Sequence, residues 1–590
     1  MNKYKVKIIP ENIEVQVEEN KTLMEVFAEN GIEFDFPCGG VGKCKKCKVK
    51  IIGKDGAEEE VLACSTKVKG DLIVDTSKKE QKHLILIEGV SRQIKANPSI
   101  KKVYVELPNP TLEDHRSDWT RLKESLGYKD GRTSLGLLQE LPKKLRGSNF
   151  KITAVVVGDE VLGVESGDTS DKLLGMAVDI GTTTIVGYLM DLNTGQELTH
   201  VSSLNPQTKY GADVVTRITF ASHEKDGLLK LHEEVINEIN DLIVKATKQV
   251  GYKPEDIYAL TIVGNTTMHH LFLKIHPEYV AKAPYVPVVK EPVIVDAKEL
   301  KITINEVGKV FVLPNIAGFV GADTVGAALA AEMDRGDKLR LLIDIGTNGE
   351  IVLGTAERLL ACSTAAGPAF EGARITCGMR GAEGAIDHVY LGEEYKYTVI
   401  GGDLPRGICG SGLLDVIAGL LEVGIIDRNG KLLPPDQITN ELGKKYRDRI
   451  VQQDGSWSFV LEENTATGQP VYITQKDIRE LQLAKGAIAA GIEILLEAYG
   501  AKVEDISEVL LAGAFGNYLT PRSACKIGLI PPELESKIKG IGNAAGVGAK
   551  IALLSAEEYQ RAVELSQQIQ YIELCAVKEF PEVFAKKLKF

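Results

Sequence analysis

Four cysteines near the start of the chain have a spacing that organises metal. Cys38, Cys44 and Cys47 read C-x5-C-x2-C, and Cys64 follows in Leu62-Ala63-Cys64. Four thiolates meet the needs of one [2Fe–2S] cluster, two per iron, and the related plant-type spacing is C-x4-C-x2-C with a distant fourth cysteine. Gly39, Gly40 and Gly42 allow the positive φ that turns backbone N–H groups toward cluster sulfurs. Other uses fit less well. Disulfide frameworks belong to small secreted chains, whereas this chain has 590 residues and opens on Met1-Asn2-Lys3-Tyr4-Lys5, which has no leader pattern. Structural zinc prefers paired C-x2-C knuckles, and here there is one pair. The run Gly39-Gly40-Val41-Gly42-Lys43 is no phosphate loop, because Pro37 stands where G-x-x-x-x-G-K needs its first glycine and Cys44 replaces Ser or Thr.

A second chemistry is written twice. In 176–188 an apolar run ends at Asp179, turns through Gly181, Thr182 and Thr183, and resumes from Thr184. The figure returns in 341–353 with Asp344, Gly346, Thr347 and Asn348, followed by Glu350. Such repetition implies a duplicated fold. A tight glycine hairpin offers backbone N–H groups and threonine hydroxyls to phosphate oxygens. The aspartate closing each strand can hold hydrated Mg2+, an ion that keeps most of its waters and takes few carboxylates. Asp179 and Asp344 are therefore the candidate catalytic residues, and either could also orient an attacking water. Glu350 is a further candidate, with a purely structural role in the strand as the alternative.

A third figure, Gly513-Ala514-Phe515-Gly516-Asn517, ends an apolar run and suits close approach to a flat ring and a ribose. Gly264-Asn265-Thr266-Thr267 and Gly542-Asn543-Ala544-Ala545-Gly546 open helices. In chain order the five correspond to phosphate-1, connect-1, phosphate-2, adenosine and connect-2. The series resembles the superfamily of sugar kinases, Hsp70 and actin (ASKHA), which is two-lobed and RNase H-like. The resemblance implies ATP with Mg2+, the nucleotide held by Gly181, Thr182, Thr183, Thr184, Gly346, Thr347, Asn348, Gly513, Gly516 and Asn517.

Composition narrows the class. The formal charge is −12, where a nucleic-acid binder would carry a basic excess, so no nucleic-acid partner is expected. With 44% hydrophobic residues the core is ample. No stretch reaches ~18 uninterrupted apolar residues, so no membrane span is expected and the cytoplasm is the expected location. The scattered Cys362, Cys377, Cys409, Cys525 and Cys575 read as small buried hydrophobes.

The elements that must position these groups follow from periodicity. Residues 4–9 and 13–17 alternate as a hairpin, 22–31 reads as a short amphipathic helix stopped by Asn30-Gly31, and strands are expected at 47–52 and 72–75. This order resembles the β-grasp ferredoxin fold, with the cysteine spacing of its adrenodoxin branch, over 1–84. Proline punctuation predicts a linker over 85–110. Residues 111–172 read as a small α/β middle domain. It would hold a helix from Thr111 with Asp114 in a capping box, a second helix over 131–141, and a hairpin of 155–157 with 160–164. The ASKHA domain takes 173–590. Within it an Ala-rich helix is expected after Asp323. The glycine turns 366–372 and 407–415 either line the interlobe cleft or serve as packing turns. The charged stretch 425–472 reads as an irregular surface insertion. The fold class is therefore α/β, multidomain.

An electron carrier needs no ATP to pass an electron downhill, and a kinase needs no cluster. A chain with both suggests that ATP makes a difficult electron transfer happen. Ferredoxin-type clusters sit near about −400 mV. An acceptor well below that stays oxidised unless nucleotide acts differently on two conformations. The whole chain resembles the reductive activators of corrinoid proteins. The resemblance implies ATP-dependent one-electron reduction of an inactive Co(II) corrinoid to Co(I), the methyl-accepting nucleophile. It makes Cys38, Cys44, Cys47 and Cys64 the cluster ligands and a homodimer the assembly. The partner would be a corrinoid iron–sulfur protein or the corrinoid protein of a methyltransferase system. Another branch carries C-terminal four-cysteine runs, which the lone Cys575 does not match. The low-potential electron donor is expected to be external, because no G-x-G-x-x-G opens from a strand with an acid about twenty residues on. Three alternatives compete. One is an activator of 2-hydroxyacyl-CoA dehydratases, which bridges a single cluster across a dimer with two cysteines per subunit. Another is a small-molecule kinase with a redox-sensing ferredoxin. The third is a non-catalytic nucleotide-gated binding protein, against which intact phosphate loops argue.

Overall fold

Strands β1 (Lys3–Ile9) and β2 (Ile13–Glu18) pair antiparallel, Val6 opposite Val15, as their alternation predicts. Thr22 and Glu25 cap helix α1 (Leu23–Glu29) reciprocally, so two otherwise orphaned donors are satisfied. Strands β3 (Lys48–Gly53), β4 (Glu58–Leu62) and β5 (Leu72–Asp75) complete a mixed sheet of order β2-β1-β5-β3-β4, with β5 parallel to β1. This is the expected β-grasp. Its buried core, including Ile8, Phe27, Val49 and Val74, is drawn entirely from this N-terminal unit. The computed structural model describes residues 3–9, 12–30, 32, 34, 47–53, 58–76, 94–402, 404–453 and 455–590. Cys38 and Cys44, with the glycines between them, lie outside the described residues, as does the side chain of Asn517.

The next unit is a four-stranded sheet of order β6-β8-β9-β7, formed by β6 (Ile100–Glu106), β7 (Arg132–Thr133), β8 (Lys151–Val157) and β9 (Glu160–Ser166). Residues 100–106, within the stretch expected to be linker, are thus a strand paired along its whole length with β8. The helix expected from Thr111 starts later, as α2 (Asp118–Ser125), and Ser117 is its cap. Thr111 Oγ1 instead accepts from the N–H groups of Glu113 and Asp114, a local turn that competes with helix at this residue type. Helix α3 (Leu135–Gly147) runs past the expected end because Leu137, Leu141 and Leu145 keep one apolar face on the sheet. A buried cluster fixes this unit to the neighbouring sheet. Lys102, its side chain 2% exposed, reaches Glu165 Oε2 at 2.8 Å, and the Tyr258 hydroxyl donates to Glu165 Oε1.

Two larger sheets carry the rest. The first comprises β10 (Leu174–Ile180), β11 (Thr184–Asp191), β12 (Glu197–Leu204), β13 (Ile257–Gly264), β14 (Val293–Asp296) and β15 (Lys309–Val312), in the order β12-β11-β10-β13-β15-β14. The second begins with β16 (Arg340–Ile345), β17 (Gly349–Thr355) and β18 (Arg358–Thr364). After excursions β19 (Ala385–Leu391), β20 (Tyr395–Val399) and β21 (Gly407–Ile408) form a small sheet, and β22 (Ile450–Gln453), β23 (Ser456–Glu462) and β24 (Val471–Thr474) form another. The large sheet then resumes with β25 (Glu508–Ala512), β26 (Ile538–Gly542) and β27 (Ile569–Tyr571), giving β26-β25-β16-β17-β18-β27. Reading each from its third strand, both sheets share one plan: three antiparallel strands, then two more added parallel to the first. The duplication inferred from the Asp-Gly-Thr figures is therefore a duplication of RNase H-like sheets. Helices α4 (Ala322–Ala330) and α5 (Ala544–Leu554) pack against one another where the halves meet.

The stretch 425–472 is not an irregular surface insertion. Phe459, Leu461, Val471 and Ile473 are buried in the second lobe's core: β24 alternates and sends Val471 and Ile473 inward, and β23 is buried on both faces over Ser458–Leu461. Among the described residues no helix is long and apolar enough to cross a membrane.

Candidate functional site

The β10–β11 and β16–β17 turns face each other across a cleft of about 300 Å3. Each turn closes tightly: Gly181 N–H donates to the Thr184 carbonyl and Gly346 N–H to the Asn348 carbonyl, both at 2.9 Å. Asp179, Gly181, Thr182, Thr183, Thr184, Asp344, Gly346, Thr347, Asn348 and Gly513 all line this cleft. Gly516 does not. It lies one helical turn on, against Leu511. At Gly513 φ is +82°, and a Cβ there would stand 2.7 Å from Asp344 Oδ1, so only glycine lets the adenosine-type loop approach that carboxylate.

The turns are held from behind. Asn205 Nδ2 donates to the Gly181 carbonyl at 2.8 Å, and Asn265 Nδ2 to Thr182 Oγ1 at 3.0 Å. The buried Arg217 guanidinium donates to the Thr182 and Gly211 carbonyls. Burial pulls its proton affinity down to about 9, while the charges of Asp213 and Glu371 favour the cation. Asn543 Nδ2 donates to Asp179 Oδ2 at 3.0 Å. Both connect-type asparagines thus act twice, capping their own helices and steadying the phosphate-type turn.

Four carboxylates meet at the cleft floor. Burial pushes Asp179 up to about 7 against the pull of Asn543, with Asp323 adding repulsion. Burial, then Asp323 and Asp179, pushes Asp344 up to about 7. Asp323 rises to about 6, chiefly through burial. Glu350 is raised well above its ordinary range by burial and by Asp323 and Asp344. Such a group costs free energy when empty and suits a divalent cation. Asp179 and Asp344, at matching strand ends, are the residues that fit hydrated Mg2+. Arg380 is the one cationic side chain among the described cleft-lining residues.

Sequence reasoning did not assign Asp323, Arg380 or Glu371 to the site. Asp323 enters because Gly321 sits directly against Asn265 and Thr266, where even a Cβ would clash, so the chain passes close to the cleft. Both glycine turns left open between cleft and packing do reach it, through Phe370, Glu371, Cys409, Gly410 and Ser411. Of the five scattered cysteines, Cys362, Cys409 and Cys525 are buried as expected, Cys377 is half-buried, and Cys575 is exposed. In the N-terminal sheet, the buried Cys47 and Cys64 thiols converge to 3.1 Å. That is beyond the ~2.05 Å of a disulfide and suits two thiolates sharing one metal centre.

Two RNase H-like lobes with a carboxylate-floored cleft, preceded by a β-grasp unit with converging thiols, define an ASKHA-type protein joined to a ferredoxin-type domain. Four family models match along the chain: a 2Fe-2S iron-sulfur cluster binding domain at 6–69, the RACo linker region at 89–171, the RACo middle region at 174–336, and the C-terminal domain of RACo, the ASKHA domain, at 338–590. The corrinoid activation enzyme RamQ of Eubacterium limosum is 34% identical over 98% of this chain and 97% of its own. A reductase of Methanosarcina barkeri, described as acting on a Co(II) methylated amine-specific corrinoid protein, is 25% identical over 67% of this chain and 73% of its own. The solved structure of a reductive activator for a corrinoid, iron-sulfur protein superposes with a TM-score of 0.75 at 36% identity, covering 100% of this chain and 98% of that one. The chain belongs to the RACo family of reductive activators of corrinoid proteins.

Proposed function

We propose that this protein spends ATP to pass one electron to the Co(II) corrinoid of a partner protein, restoring Co(I) for methyl transfer. The observation that carries the reading is the pairing of two halves in one chain. Duplicated sheets present Asp179 and Asp344 to one cleft, and the N-terminal sheet brings two buried thiols together. Cys38, Cys44, Cys47 and Cys64 would hold a [2Fe–2S] cluster, which supplies a one-electron store near about −400 mV. At ~59 mV per tenfold for one electron, an acceptor about 100 mV lower would be only a few per cent reduced at equilibrium. Nucleotide must therefore bind two conformations of the activator–acceptor pair differently.

The chain's own residues divide that work. The Thr182–Thr184 and Thr347–Asn348 turns take the phosphates with N–H and hydroxyl donors. Asp179 and Asp344 would hold Mg2+, and Gly513 would admit the nucleoside beside Asp344. Because the two turns belong to different lobes, gripping one nucleotide draws the lobes together. An external low-potential donor would supply the electron, the assembly would be a homodimer through the ASKHA domain, and the setting would be the cytoplasm.

The test mixes purified protein, a chemical reductant, Mg-ATP and a Co(II) corrinoid protein, and follows Co(I) in the visible spectrum. Asp344→Ala is expected to leave the cluster's absorption intact while lowering ATP-dependent Co(I) formation by about 100-fold or more, given that metal-borne charge stabilisation is worth several kcal/mol. Equal reduction without nucleotide would overturn the reading.

A further inference from the structure

Two acidic side chains line the cleft apart from the four on its floor: Asp387, which accepts from Thr398 Oγ1 of its own small sheet, and Glu371, which is bonded to the phosphate-type turns. Glu371 ends the short 3-10 turn Pro368–Glu371. Its Oε1 accepts from Thr347 Oγ1 at 2.8 Å and its Oε2 from Thr183 Oγ1 at 3.2 Å. A single carboxylate is thus bonded to both phosphate-type turns, one from each lobe. The turn that carries it is fixed in place. Phe370 is buried and its ring lies 4.7 Å from that of Phe515. Gly372 and Ala373 close the turn with backbone bonds to Ala369 and Pro368. The Gly410 backbone sits so tightly on the Phe370 carbonyl that a Cβ would come within 1.9 Å.

From this geometry we infer that Glu371 is the general base of ATP hydrolysis, an assignment that rests on reading the two turns as the seat of the terminal phosphates. The threonine hydroxyls bonded to Glu371 are the groups that would face those phosphates. Glu371 therefore lies within about one hydrogen bond, or one water, of the terminal phosphoryl group, the reach a base requires. A carboxylate cannot itself bond to phosphate oxygens, since both are anionic acceptors. What fits between them is a molecule with protons to give to the carboxylate and a lone pair for phosphorus, which describes water. The floor quartet is unsuited to this task, because its members crowd one another and are the groups a cation would occupy.

In the step, the water oxygen bonds to the terminal phosphorus as the bond from that phosphorus to the bridging oxygen breaks. The bridging oxygen leaves with the electron pair on ADP. One water proton passes to Glu371 and thence to solvent, and inorganic phosphate is the second product. The role assigned to Glu371 is to align that water and take its proton.

The test uses full-length Glu371→Gln and Glu371→Asp with the wild type. Affinity is measured by titration with a non-hydrolysable ATP analogue and Mg2+, and phosphate release gives kcat and KM against pH. Glu371→Gln keeps the shape and removes the basic oxygen. It is expected to bind the analogue at least as tightly as the wild type and to lose about 10²- to 10⁴-fold in kcat. Glu371→Asp, shorter by one methylene but still a base, should fall between the two in kcat. A kcat for Glu371→Gln within threefold of wild type would overturn the assignment. So would equal loss of analogue affinity in both variants, which would make Glu371 a tie between the turns. A wild type without ATPase activity would remove the proposed function together with this base. A wild type that hydrolyses ATP and reduces its partner, matched by Glu371→Gln, would remove the base alone.

Discussion

Asp323 is the charge common to its three acidic neighbours: it raises the proton affinity of Asp179, Asp344 and Glu350 alike. Its own affinity rises from the ordinary ~3.9 to about 6. A carboxyl raised in the folded state is no burden below the unfolded value, where both states are protonated. Its cost grows as pH climbs from ~4 through about 6 and is complete above that. Asp323→Asn keeps an oxygen for the Thr324 N–H, which now donates to Oδ1 at 2.7 Å, and removes the charge. The metal-free variant should therefore be more stable than wild type by about 1–3 kcal/mol at pH 8 and equal to it near pH 4, as thermal unfolding would show. Its ATPase activity should fall, because a charge that burdens the empty cleft helps hold a cation in the filled one. Asp179 and Asp344 were legible because each closes a contiguous strand-and-glycine figure whose chemistry is local. Asp323 and Glu371 were not, because Asp323 reaches the cleft from the first turn of α4 and Glu371 from a 3-10 turn, and sequence spacing does not record which segments meet. Cys47 and Cys64 lay between these cases: their residue type announced metal, and their 3.1 Å convergence required the sheet.

The Ala-rich helix α4 and the connect-2 helix α5 cross where the lobes join, and small residues set how closely. A Cβ on Gly548 would stand 2.0 Å from the Gly326 carbonyl oxygen and 2.5 Å from its Cα. Backbone atoms of a facing helix cannot swing away as a side chain tip can, so Gly548→Ala must part the helices. The expected cost is about 1–3 kcal/mol, typical of overpacking a tight core. It should appear as a lowered melting temperature with ATPase activity reduced in parallel, since the crossing sets the opening of the cleft. Elements of this kind were well announced: capping asparagines, glycine turns and period-two strands all fell where local chemistry dictated. What failed did so for equally local reasons. Thr111 spent its hydroxyl on a turn and left the cap to Ser117. The short strands β22–β24 looked irregular because their polar loops outweighed a few inward residues.

At the scale of the whole chain the question is how a grip on nucleotide reaches an electron carrier folded around its own core. Two contacts lead from the lobes toward that carrier. Asn97 exchanges backbone hydrogen bonds with Leu554 and Ala556, at the end of α5, so the segment entering β6 is tied to the helix that crosses between lobes. Further on, Lys102, Glu165 and Tyr258 bind β6 and β9 to β13 of the first lobe: the Lys102 ammonium reaches Glu165 at 2.8 Å and donates to the Tyr258 hydroxyl at 3.1 Å. Thr169 Oγ1 donates to the same carboxylate. A nearly buried ion pair with every partner satisfied resists sliding, so a movement of the first lobe carries the β6–β9 unit with it. Removing Glu165 alone would strand the Lys102 ammonium, its side chain 2% exposed, at a cost of about 3–5 kcal/mol, so the informative variant is Lys102→Met with Glu165→Gln, whose amide oxygen still accepts from Tyr258. Neither residue touches the cleft or the thiols. Cluster absorption and basal ATPase activity should therefore match the wild type, while ATP-dependent Co(I) formation should fall by roughly 2- to 30-fold, the range of about 0.5–2 kcal/mol that links of this kind carry. Unchanged Co(I) formation in that double variant would show that nucleotide acts on the electron's path through some other contact.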